Sequence, residues 1–112
     1  MLETQTFLIA VGGVRLKWWA SLPFFALAAP SLAQAKRAKG CVFAETFSDG
    51  HEVFSITGWS SGMAMKRYAR SWPHRLAAKS SPYLTVRDRF HHFQTTTRPT
   101  PQEAIARWRE AA

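Results

Sequence analysis

The stretch Cys41-Val42-Phe43-Ala44-Glu45-Thr46-Phe47-Ser48-Asp49-Gly50-His51-Glu52-Val53-Phe54-Ser55-Ile56-Thr57-Gly58-Trp59 decides the fold of this chain. Two runs rich in β-branched and aromatic residues flank an Asp-Gly pair, which is the pattern of a β-hairpin. The sequence predicts strands over residues 41–47 and 52–59, with the reversal at Ser48-Asp49-Gly50-His51. In the first of these strands Phe43, Glu45 and Phe47 fall on one face and Val42, Ala44 and Thr46 on the other. Neither face is cleanly polar, so both need cover.

Downstream of the hairpin, Ser60 reads as the cap of a helix running to about Arg70, with Met63, Met65 and Tyr68 as its apolar positions. Ser71-Trp72-Pro73 breaks it, residues 74–79 read as a short helical turn, and Ser80-Ser81-Pro82 as a loop. Residues 85–95 form a strand that places Val86, Asp88, Phe90 and His92 on one face. Upstream, residues 6–16 are apolar and β-branched, interrupted by Gly12 and Gly13, which mark a bulge or a close backbone approach. Residues 21–39 read as an amphipathic helix. Ser21 caps it, Pro23 sits in its first turn, and Phe24, Leu27, Ala28 and Ser31 or Leu32 form its buried face. Pro30 should kink or split this helix, and Gly40 ends it. At the other end, Thr100-Pro101-Gln102-Glu103 combines a capping Thr, a Pro at the first helical position and a Glu three residues after the cap.

The order is strand, helix, strand, strand, helix, strand, then a tail helix. The expected class is therefore α+β, a ferredoxin-like βαββαβ antiparallel sheet with helices on one face and an extra C-terminal helix. The division is residues 1–97 for the ferredoxin-like domain and 98–112 for the helical extension. A sheet apolar on both faces in so short a chain calls for a homodimer.

Composition bounds the function. The chain has 112 residues and a net charge of +8, from 15 Lys and Arg against 7 Asp and Glu. The basic residues are scattered in small groups, with no run of five or six, so the charge reads as a solvated face. One cysteine, Cys41, excludes an intrachain disulfide and a multi-Cys zinc site. It reads as a small buried hydrophobe. No phosphate-binding glycine loop, HExxH or GxSxG motif occurs. Residues 18–35 carry no charge and imitate a secretory signal. The distance of the stretch from the N-terminus, and Pro23 and Pro30 within it, favour a folded helix instead. The expectation is a cytoplasmic protein without stable membrane insertion.

The segment Ile56-Thr57-Gly58-Trp59-Ser60-Ser61-Gly62-Met63-Ala64-Met65-Lys66-Arg67-Tyr68-Ala69-Arg70-Ser71, followed by His74-Arg75, resembles the strand-to-helix segment of the antibiotic-biosynthesis-monooxygenase-like superfamily. Within it the chain is similar to the spheroidene-monooxygenase-like and uncharacterised bacterial branch. The Leu22-Pro23 helix opening and its close at Ala38-Lys39-Gly40 are similar too. The resemblance covers residues 7–93 and implies a dimeric α/β barrel with a ligand pocket between sheet and helices. It implies a monooxygenase that is cofactor-free or haem-dependent. The first strand lacks the Asn of haem-degrading members, Tyr68 stands at their Trp position, and Ala78 occupies the place of their ligating His.

The candidate catalytic residues are His74, as acid/base or axial ligand, and Tyr68, as donor to a developing oxyanion. Trp59 would form a pocket wall. Arg70 and Arg75 would pair with a carboxylate. Phe90 and His92, on one strand face, would complete the binding site for a flat, apolar or aromatic ligand. His91 and His92 point to opposite faces and make no metal site. The alternative is a non-catalytic module that binds a ligand or nucleic acid. The RNA-recognition octamer is absent from residues 52–59, which sets nucleic acid aside. Trp18 and Trp19, adjacent at a strand end, suggest an interface.

Overall fold

Strand β1 (Phe7–Leu16) is the most apolar strand, and it takes an inner position in the sheet. The computed structural model describes residues 6–49 and 52–111. After β1 come α1 (Ser21–Arg37), β2 (Cys41–Asp49), β3 (Glu52–Trp59), α2 (Gly62–Ala69), α3 (Trp72–Leu84), β4 (Thr85–Thr95) and α4 (Pro101–Glu110). The four strands form one antiparallel sheet in the order β2-β3-β1-β4. This is the ferredoxin-like arrangement that the element order predicted. The hairpin joining β2 and β3 is present as a ladder from Cys41↔Trp59 to Asp49↔Glu52. Its expected turn residues Gly50 and His51 lie outside the described residues.

Side chains alternate across β1, and the two faces receive different helices. Ile9 and Val11 point to the face where Phe54 and Ile56 meet Ala104, Ile105 and Trp108 of α4. Val14 and Leu16 point to the opposite face, where they pack with Val53 and with Phe24 of α1. The tail helix therefore covers the sheet face that α1 leaves open. The expectation of helices on one face holds for α1 and α2, and α4 supplies from within the chain part of the cover that a second copy would otherwise give. Thr100 Oγ1 caps α4 by accepting from the Glu103 N–H at 3.2 Å, as the sequence predicts. Trp108 fastens it to the sheet: Nε1 donates to the Arg89 carbonyl at 2.9 Å, and the indole meets Phe54 edge-on at 5.1 Å.

The adjacent glycines of β1 serve this two-sided packing. A Cβ at Gly12 would strike the Phe90 ring at 2.6 Å, and one at Gly13 would strike the Trp108 indole. The backbone itself stays in register here, and the irregularity lies at Arg15/Leu16. Of the two readings of the glycine pair, close approach is the one realised.

Helix α3 runs further than its local sequence suggests, and α1 is continuous at the proline expected to kink or split it. Helix α1 continues through Pro30, and its N-cap is Ala20 without a side-chain bond, so Ser21 is its first residue rather than its cap. The carbonyl that Pro30 cannot bond belongs to Ala26, which is exposed, so water can take it. Helix α3 absorbs the expected turn at 74–79 and the expected loop at 80–82, and continues through Pro82. It is held by packing on α1 and by the Lys17 N–H, which donates to the Leu84 carbonyl at 3.0 Å. In the same region the helix cap expected at Ser60 is Ser61, whose side chain accepts from the Ala64 N–H at 3.2 Å.

Candidate functional site

Strand β3 ends on Trp59, which is fully buried on the α1 side of the sheet. Thr57, two residues earlier and so on the same face, accepts from Trp59 Nε1 at 2.8 Å and fixes the indole. Tyr68, in the last turn of α2, stacks on that indole with centroids 5.1 Å apart and planes at 28°. His74, in the first turn of α3, meets the Tyr68 ring edge-on at 4.9 Å. Three of the sequence-predicted residues, from three consecutive elements, thus form one aromatic column.

The polar groups of this column are ordered. The Tyr68 hydroxyl donates to the Ser31 carbonyl at 2.9 Å and accepts from Ser31 Oγ at 2.7 Å. Burial raises the Tyr68 pKa above its ordinary 10.0, the Ser31 bond opposes that rise, and the nearby Cys41 thiol adds to it. The Cys41 thiol is itself raised by burial, against a backbone hydrogen bond from Phe43. His74 Nδ1 lies 3.2 Å from the Ala69 carbonyl at the end of α2. A carbonyl only accepts, so Nδ1 carries the proton and Nε2 presents its lone pair. Burial lowers the His74 pKa from 6.5, which favours the neutral ring, while the Ala69 bond works the other way.

Arg70 and Arg75 are brought together as well. They follow Ala69 and His74 in the chain, the two residues joined by the imidazole bond, and both open onto a cleft of about 380 Å³ that Leu76 and Lys79 also line. Phe90 and His92 stand elsewhere. They share the sheet face of Trp59, but on the edge strand β4, opposite Gly12 and Ala10 of β1. Trp59 pairs with Leu8, so Phe90 is four residues along and two strands across from the column, roughly 13 Å by 10 Å. Phe90 is 62% exposed and His92 is exposed. Neither points into an interior pocket with the column, contrary to the expectation that they complete it: on the edge strand both side chains stand in solvent.

Sequence reading missed three participants. Ser31 was a buried-face position of α1, and its polar side chain in an apolar helix was the available signal. Lys79 lies one turn after Arg75, and its i,i+4 spacing within the expected helical turn at 74–79 was the available signal. Leu76 lines the same cleft.

A haem between these rings would require space that the stack fills. The Trp59, Tyr68 and His74 rings are already in contact, and the position of the axial His in haem-degrading relatives is the exposed Ala78. The residues present do not fit that group. Among the described residues, no cluster of three His, Cys, Asp or Glu side chains is placed to hold a metal ion.

No protein-family model matches the chain. No curated protein matches it either. Solved structures do. An antibiotic biosynthesis monooxygenase superposes with a TM-score of 0.69 at 12% identity, over 82% of this chain and 99% of its own. A protein from Shewanella oneidensis superposes at 0.75 and 14% identity, over 81% and 92%. A protein of Bacteroides thetaiotaomicron, described as a possible oxidoreductase, superposes at 0.70 and 11%, over 83% and 100%. The fold is therefore that of the antibiotic-biosynthesis-monooxygenase-like proteins, as the segment from Ile56 to Ser71 with His74-Arg75 implied. At these identities the likeness speaks for fold alone.

Proposed function

We propose that this protein is a small cofactor-free monooxygenase that binds a flat, largely apolar phenol or enol beside the Trp59–Tyr68–His74 column. The observation that carries the reading is the position of His74. Its Nδ1 is tied to Ala69, its Nε2 is left as a base, and the cationic cleft begins at the next residue. An anionic group of the ligand would pair with Arg70 or Arg75, with Lys79 close by. His74 Nε2 would take the phenol proton, and the electron-rich ring would react with O₂. One oxygen atom enters the ring as a new carbonyl and the other leaves as water, so the substrate loses its O–H and one C–H hydrogen and becomes a quinone. Trp59 and Tyr68 back the site. The Tyr68 hydroxyl can assist a developing oxyanion only by exchanging its bond to Ser31 for one to the ligand.

The proposal includes a homodimer. Strand β4 is an edge of the sheet, and Val86 and Phe90 on it are 67% and 62% exposed, an apolar edge of the kind that pairs with another copy. A free thiol at Cys41 suits a reducing compartment, and the cytoplasm is the proposed location.

The test uses 1-hydroxy-2-naphthoate, a flat phenol with one carboxylate. Quenching of tryptophan fluorescence should report binding, weakened about tenfold by Arg75→Ala. Oxygen uptake should match quinone formed one for one and vanish in His74→Gln with binding retained. Binding without oxygen uptake in the parent protein would leave a non-catalytic ligand-binding module. Binding indifferent to Arg70 and Arg75, or oxygen uptake unchanged in His74→Gln, would remove the site.

A further inference from the structure

Helix α1 is apolar on its inner side, as a core helix must be, and also on its outer side. Its exposed positions Leu22, Phe25, Ala26, Ala29, Pro30 and Ala33 recur at spacings of three and four, so they line one solvent-facing stripe. The stripe is about 17 Å long at the rise of an α-helix. Leu22 is 84% exposed. Directly before the helix stand Trp18, 89% exposed, and Trp19, with Lys17 Nζ 6.0 Å above the Trp19 ring. Beyond the other end the same stripe continues into exposed Lys36 and Arg37. The inner side is already engaged, since Phe24 packs on Val14, Leu16 and Val53.

We infer that this outer face of α1, with Trp18 and Trp19, is a docking surface for an anionic phospholipid membrane. The arrangement is an apolar strip bounded by indoles and cations, which matches the depth profile of a bilayer surface. Aliphatic groups enter the acyl boundary, Trp lies at headgroup level, and Lys and Arg meet phosphates. The helix lies along the surface rather than crossing it. No described helix is long and apolar enough to span a bilayer.

Charge decides between a membrane and a second copy of the chain. Residues 4–44 contain no Asp or Glu, and all their charges are positive. A two-fold contact through α1 would bring Lys17, Lys36 and Arg37 of both copies together with no acid of that segment to offset them. An anionic lipid surface supplies the opposite charge instead. This inference stands apart from the proposed oxygenase site, because α1's outer face holds none of that site's residues.

The experiment is co-sedimentation of the full chain with vesicles of phosphatidylcholine alone and with vesicles of equal parts phosphatidylcholine and phosphatidylglycerol. Binding to the anionic vesicles should be more than about tenfold stronger and should weaken as salt is raised. Leu22→Glu and Trp18→Ser, both at exposed positions, should each weaken it several-fold, whereas Arg107→Glu on α4 should leave it unchanged. Circular dichroism of the variants should match the parent. Absence of binding to the anionic vesicles would overturn the inference. So would an equal loss in Arg107→Glu, which would make the binding a diffuse charge effect. A dimer that Leu22→Glu dissociates in sedimentation velocity would also overturn it, assigning the face to self-contact.

Discussion

On one face of the sheet, Ile9, Val11, Phe54 and Ile56 are sealed under Ala104, Ile105 and Trp108 of α4. On the other, Val14, Leu16 and Val53 form a small cluster with Phe24, and the rest is Trp59, Tyr68, His74 and Ser31 joined through ring contacts and hydrogen bonds. The first face uses dispersion and apolar burial, which are non-directional and large in sum. The second uses directional bonds, whose net contribution is small but whose geometry is specific. The larger buried apolar cluster lies on the α4 face, and the column of aromatic and polar side chains lies on the α1 face. Small α/β chains can separate the two tasks in this way because alternate residues of one strand serve opposite faces.

The comparison is broken most directly at Trp108. Trp108→Ala removes the indole over Gly13 and Phe54 and should cost about 3–5 kcal/mol, read as a lowered urea midpoint. If the α4 face is not the main store of stability, this variant will lose no more than a surface change does. Tyr68→Phe on the other face keeps the stack on Trp59 and deletes only the Ser31 bonds. It should cost about 1 kcal/mol by the same measurement. A cost as large as that of Trp108→Ala would erase the distinction between the faces.

The finest probe is pH. The His74 pKa is lowered, chiefly by burial, so the folded chain prefers the neutral ring. Above the ordinary value of 6.5 its contribution to stability is complete. As pH falls through 6.5 the unfolded chain takes up the proton first, and stability declines until the folded pKa is passed. Urea midpoints at pH about 7.5 and about 5 should therefore differ more for the parent than for His74→Gln. Equal differences would place His74 in a setting like water.

Much of this architecture was legible because its signals are local. The Asp-Gly reversal, the alternation of residues 85–95 and the Thr100-Pro101 cap each need only a few neighbouring residues, and each corresponds to an observed ladder, strand or cap, though Gly50 and His51 themselves lie outside the described residues. Local signals fall short at Pro30, where the expected kink or split leaves α1 one continuous helix, and at Ser80-Ser81-Pro82, where the expected loop is helix. At Pro30 the unbonded carbonyl belongs to the exposed residue Ala26, and at Pro82 packing on α1 and the Lys17–Leu84 bond carry the helix through. The candidate site divides in the same way. His74, Tyr68 and Trp59 were identifiable as residue types in a familiar segment. Their contact with Ser31, 37 residues away from Tyr68, was not. Phe90 and His92 were rightly assigned to one face of their strand, but strand alternation says nothing about whether a helix covers that stretch.

The sequence by itself determined the element order, the strand faces and the tail-helix cap, because turn chemistry, side-chain period and capping act over a few residues. Only the tertiary structure decided which sheet face α4 covers, which glycine receives Phe90 and which receives Trp108, and that α1 keeps an apolar side in solvent. Those outcomes depend on contacts between residues distant in the chain, whose steric fit and burial no short window of sequence contains.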